Sequence, residues 1–128
     1  GTDMQFQVVG HPGLENIRKF NFSPAPNKGS SNPKHNGEVC YGYDLRTENE
    51  LFDKKPQKLN ISFIIKLYNE LPDEFEFFSR SDFFDKLAGN SKLRTDIMAG
   101  KNEMEIRKSW KEPLAEFKEK RERYLLYK

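Results

Sequence analysis

At 128 residues the chain is long enough for one domain with a single core and too short for two independent ones. Its 22 basic and 20 acidic residues nearly cancel, to +2, and are interspersed, which describes a solvated surface and argues against a nucleic-acid partner. No apolar run approaches the roughly 20 residues that cross a bilayer as a helix, so no membrane insertion is expected.

Hydrophobic residues reach only 35%, but the 11 Phe and 5 Tyr each bury a large area, enough for a folded core. Cys40, between Val39 and Tyr41, reads as a small buried apolar residue; alone, it builds neither an internal disulfide nor a cysteine metal cluster. GTDMQFQ opens without a start methionine or signal peptide, as a piece of a longer protein would.

In chain order, MQFQVV alternates and predicts a half-buried strand over Met4–Val9. GHPG, Gly10 to Gly13, predicts a tight exposed turn, and Leu14, Ile17 and Phe20 a short helical turn before the prolines of NFSPAP. NKGSSNPKHNG, residues 27–37, is a loop by composition. GEVCYGYDL predicts a second strand with Val39, Tyr41, Tyr43 and Leu45 on one face and Gly42 leaving room for a close neighbour.

The period then changes. Ile61, Ile64, Ile65, Tyr68 and Leu71 fall three and four apart, with Asn60 as cap and Pro72 as stop. Ser81 or Asp82 would cap a short helix closed by Gly89, and a second would carry Leu93, Ile97 and Met98 inward and end at Gly100. Asn102 and Glu105 have capping-box spacing ahead of a long helix with Ile106, Trp110, Leu114 and Phe117 inward and a kink or restart at Pro113. Strands first and helices after give an α+β domain: a small strand layer from the N-terminal half, helices from the C-terminal half, and a final extended tail, Tyr124 to Tyr127, docked on the domain.

No catalytic constellation is complete. His35 sits in the polar loop, where a solvated role is expected; His11 is held in a rigid turn, as a pocket residue or a plain turn residue. Two distant histidines and one buried cysteine offer no metal site, and no glycine-rich phosphate loop occurs, so no cofactor is expected. The carboxylates lie mostly beside Lys or Arg, with no pair placed across a cleft as glycoside hydrolysis requires. NFS at Asn21 and NIS at Asn60 match glycosylation acceptors, but Asn60 is better explained as a cap.

The last third carries separated motifs in a specific order: Phe84, Asp85, Leu87 and Gly89; then Gly100; then Glu105, Ile106 and Trp110; then Phe117, Arg121, Tyr124, Leu125, Leu126 and Tyr127. This order resembles the C-terminal end of the NamZ-type exo-β-N-acetylmuramidases, and GTDMQFQVVGHP and GEVCYGYDL extend the resemblance over nearly the whole chain. Gln5 departs from the family's usual Pro, and Gly13 stands where many members carry Trp, with His11 the candidate to replace that aromatic.

The resemblance implies that residues 1–128 form a single auxiliary domain whose partner is the Rossmann-like N-terminal catalytic domain of the same parent chain. It implies hydrolysis of terminal N-acetylmuramic acid from peptidoglycan fragments, a periplasmic or secreted parent, and no catalytic residue in this fragment. The residues it marks as lining the substrate cleft are Thr2, Phe6, Gly10, His11 and Pro12, with Tyr41 beside them. A glycan-binding module without catalysis, or a structural interface, is the alternative.

Overall fold

Residues 1–47 and 59–126 are described in the computed structural model, and they build two units, Gly1–Ser79 and Arg80–Lys128. The first holds a three-stranded antiparallel sheet of β1 (Val8–His11), β2 (Phe20–Phe22) and β3 (Cys40–Asp44), with β3 in the middle. Helix α1 (Ser62–Glu70) completes it. The second holds α2 (Ser81–Ala88), α3 (Lys92–Met98) and α4 (Glu103–Glu122). Strands precede helices, as an α+β chain requires.

The central strand explains where its neighbours can come. Gly42 pairs with Gly10 on β1 and Phe20 on β2, and a Cβ on Gly42 would lie 2.0 Å from the Val9 carbonyl oxygen, so only glycine admits β1 at this distance. Tyr41, Tyr43 and Leu45 reach the core with Leu14 and Leu67, packed by Val9, Phe63, Leu71 and Phe77. Val39 stays exposed, one residue ahead of the strand. Cys40 is buried on the other face, and burial pushes its thiol pKa up, keeping it protonated and unreactive.

The first strand begins later than its alternation suggests. The Gln7 amide donates to the Met4 carbonyl at 3.0 Å, which makes residues 4–7 a turn, and pairing with β3 starts at Val8. GHPG is correspondingly not one tight exposed turn: Gly10 and His11 finish β1, and Pro12–Leu14 form a 3-10 turn that buries Leu14. Proline suits that first position, because its missing N–H would have had no partner there.

A charged cluster joins α1 to the sheet. The Arg18 guanidinium binds both carboxylate oxygens of Glu70, and the Tyr43 hydroxyl donates to the same carboxylate at 2.7 Å. Arg18 also lies 4.2 Å over the Tyr43 ring. Burial first, and then the neighbouring Glu70 carboxylate, hold the Tyr43 phenol far above its usual range. At the start of α1, Asn60 Oδ1 accepts from the Ser62 amide at 3.0 Å, and Leu71 and Pro72 end the helix.

In the second unit the local stop signals act as expected. Gly89 (φ 84°) follows α2, Gly100 (φ 74°) follows α3, and Asn102 and Glu105 close a full capping box at the start of α4. Arg80, not Ser81 or Asp82, occupies the cap position of α2. Asp85 and Arg94 tie α2 to α3 through two hydrogen bonds of 2.9 and 2.7 Å. Buried Asp96 is held between Lys92 at 3.0 Å and Lys101 at 2.6 Å, and these bonds pull its carboxyl below the usual range.

Several expectations fail here. Met98 is exposed while its neighbour Ile97 is buried. Of the predicted α4 stripe only Ile106 is buried, and Leu114 and Phe117 are about half exposed or more; α4 is continuous through Pro113, so of the kink or restart expected there the restart does not occur. The Ser109 carbonyl that loses its amide partner lies where water can serve it, since every residue from 111 to 120 is exposed. The tail is not docked either: Tyr124 is 77% and Leu126 92% exposed, and the Tyr124 amide turns back to the Arg121 carbonyl, so the helix end frays into a turn instead of extending as a strand. Tyr127, the last part of that expectation, lies outside the described residues.

Candidate functional site

The end of β1 delivers His11 to the edge of a cavity of about 160 Å3 within the first unit. His11 is fixed on two sides. Its Nδ1 accepts the Gly13 amide at 3.0 Å, so in the neutral ring the proton resides on Nε2. Its ring packs edge to face on Phe75, with centroids 4.8 Å apart, and on His35, with centroids 4.7 Å apart. Burial lowers the His11 pKa, and His35 and Lys34 push it the same way against the weaker pull of Glu38, which together favour the neutral donor.

His35 corrects the solvated-loop expectation. Its side chain is only 19% exposed and its Nδ1 lies 3.2 Å from Glu38 Oε1. The backbone explains how a polar loop delivers it: His35 (φ 58°) and Gly37 (φ 76°) both take left-handed conformations, and the Gly37 amide donates to the Pro24 carbonyl at 2.8 Å, folding the loop back on the domain. Histidine tolerates that region better than branched residues do, and the following Asn-Gly pair was the one local hint of a sharp reversal.

The predicted site residues separate into groups. Gly10 and His11 line the cavity, Pro12 opens the 3-10 turn that holds the His11 acceptor bond, and Tyr41 stands opposite His11 in the ladder. The Tyr41 hydroxyl donates to Glu15 at 3.4 Å. Thr2 lines a different, shallow groove of about 400 Å3 with Met4, Asn21 and Asn27, and Phe6 lines neither, standing fully exposed at φ 59°.

Sequence reasoning missed the other contributors. Lys34 and Glu76 line the cavity beside His11, and Leu67, Leu71 and Phe77 supply its apolar wall. Phe75 fills the space over Gly13, where a Cβ would meet its ring at 2.4 Å. The aromatic neighbour of His11 therefore comes from position 75, after α1, and glycine at 13 is what makes room for it. No local pattern links residue 75 to residue 11.

Among the described residues no group of three or more His, Cys, Asp and Glu could hold a metal ion. A fixed neutral imidazole, a lysine and a carboxylate at the rim of an apolar cavity can bind and orient a polar ligand. They do not themselves supply a nucleophile and an acid facing each other.

Comparison with known proteins gives a consistent result. A family model described as "Exo-beta-N-acetylmuramidase NamZ, C-terminal" matches residues 1–127. The peptidoglycan beta-N-acetylmuramidase NamZ of Bacillus subtilis (strain 168) is 30% identical over 144 aligned positions, covering 99% of this chain and 33% of that protein. The crystal structure of a DUF1343 family protein from Bacteroides fragilis NCTC 9343 superposes with a TM-score of 0.81 at 35% identity, covering all of this chain and 35% of that one. The chain thus spans about a third of the length of the relatives it matches.

Proposed function

The chain belongs to the C-terminal family of the NamZ exo-beta-N-acetylmuramidases, and on that premise we propose that it is the auxiliary domain of a peptidoglycan glycoside hydrolase, forming one wall of the substrate cleft. The remainder of the parent chain, a Rossmann-like catalytic domain, carries the reacting carboxylate. The parent works in the periplasm or outside the cell, where it removes terminal N-acetylmuramic acid from peptidoglycan fragments.

The observation that carries this reading is the immobilised His11 at the cavity rim. With Nδ1 engaged by the Gly13 amide and its ring wedged between His35 and Phe75, His11 offers one hydrogen-bond donor in one orientation. Such a group positions a sugar without exchanging protons with it, which is the work of a cleft wall.

The test uses the full-length parent and a chromogenic N-acetylmuraminide. Removing this domain should abolish turnover, and His11→Ala should raise KM with a smaller effect on kcat. Full activity after domain removal would refute the cleft-wall role.

A second reading, glycan binding independent of catalysis, is favoured by Phe6. A fully exposed aromatic ring held at a positive φ is costly in water and suited to stacking on a sugar face. Saturable binding of peptidoglycan fragments by this chain alone, lost in Phe6→Ala, would support it.

A further inference from the structure

The cavity beside His11 has a composition more specific than a cleft wall needs. Lys34 and Glu76 bring opposite charges to its lining, and Leu14, Leu67 and Phe77 supply apolar surface. Lys34 makes no hydrogen bond or ion pair with any described residue, so its ammonium is available to a ligand. The volume, about 160 Å3, is below the several hundred Å3 of pockets that enclose a whole drug-sized ligand, so the cavity suits a substituent of a sugar and not the ring itself.

We propose that this cavity is the recognition pocket for the carboxylate-bearing lactyl ether of the muramic sugar, with Lys34 pairing the carboxylate, the Leu14, Leu67 and Phe77 side chains receiving the lactyl methyl, and His11 Nε2–H donating to a ligand oxygen. The inference rests on the muramidase reading and deepens it. N-acetylmuramic acid differs from N-acetylglucosamine by this one group, a short chain with an anionic end and a methyl branch. The cavity pairs a cation with an apolar wall, which matches both features. Glu76 at the rim adds an acceptor for the acetamido N–H on the neighbouring ring carbon.

Lys34 is exposed and Lys34→Gln leaves the core untouched, so the variant tests recognition and not folding. In the full-length parent, KM is measured for a chromogenic N-acetylmuraminide and for the same compound with its lactyl carboxylate methyl-esterified. Lys34→Gln should raise KM for the free acid about tenfold, the effect of losing one charge-assisted contact, with kcat and the ester's KM unchanged. Lys34→Arg should retain most of the preference for the acid.

An unchanged KM for the free acid, or equal changes for acid and ester, would overturn the assignment while leaving the muramidase function standing. A wild-type parent that cleaves neither compound would instead remove the reading on which the inference rests. In a parallel measurement on this chain, adding N-acetylmuramic acid should shift the NMR signals of His11, Leu14 and Leu67, and N-acetylglucosamine should leave them in place; equal shifts from both sugars would also overturn the assignment.

Discussion

His11 and His35 meet edge to face with their ring centroids 4.7 Å apart, one from the end of β1 and the other from a loop whose composition promised only solvation. The contact keeps an imidazole beside another imidazole and Lys34, a setting in which an added positive charge is unwelcome.

His11 has a folded-state pKa below its ordinary 6.5, mainly through burial, with His35 and Lys34 adding to the shift, Glu38 opposing it and Glu76 lining the same cavity. The unfolded chain therefore binds this proton at higher pH than the folded one. The associated stability is complete above about 6.5 and is lost as pH falls from there through the folded value. Tm should drop as pH falls below about 6.5, and His11→Asn, which can still accept the Gly13 amide but does not titrate, should flatten that drop. An identical pH profile in the variant would contradict this account.

Gly42 and Gly37 separate two reasons for glycine. A Cβ at Gly42 would meet the Val9 carbonyl oxygen at 2.0 Å and the Gly10 Cα at 2.6 Å, all backbone, so β1 and β3 must part to admit it. Gly42→Ala should cost about 3 kcal/mol or more. Gly37 has open space around it and only its φ of 76° to defend, so Gly37→Ala should cost about 1 kcal/mol. Urea denaturation of the two variants checks the order; equal losses would show that the strand contact yields more easily than its geometry implies.

Glu70 is the shared acceptor of Arg18 and Tyr43. Replacing it with Ala strands a partly buried guanidinium and a buried hydroxyl. Since the Arg18 and Glu70 side chains are 25% and 17% exposed, the loss is discounted from that of a fully buried pair to about 2–3 kcal/mol. Tyr43→Phe removes one hydrogen bond and leaves the ion pair, for about 1 kcal/mol. Chemical denaturation that ranks Tyr43→Phe as the more damaging change would mean the phenol, not the carboxylate, organises the cluster.

The C-terminal helix offers a contrast within one element. Ile106 is fully buried, and Ile106→Ala should cost about 2–5 kcal/mol. Tyr124 and Leu126 are mostly exposed, so replacing both with Ser should change stability by no more than about 0.5 kcal/mol each. A large drop in Tm for the double variant would restore the docked-tail expectation.

Where structure is made by neighbours a few residues apart, the amino-acid sequence determined it. Asn102 and Glu105 close their capping box, Gly89 and Gly100 stop their helices, Asn60 accepts the Ser62 amide at the start of α1 although Ile61 holds the cap position, and Gly42 admits a close strand, because each depends on hydrogen bonds or sterics tied to one residue type. The ordered motifs likewise carried the family. Periodicity misled at Leu114, Phe117 and the tail, since it marks which side chains share a face and not whether anything covers that face. Only the tertiary structure decided that His35 reaches His11, that Phe75 fills the space over Gly13, that Arg18 and Tyr43 converge on Glu70, and that Lys34 and Glu76 share the cavity of His11. Those contacts join residues far apart in the chain, and the free energy that selects them comes from packing and desolvation of the assembled unit, which no short stretch of residues contains.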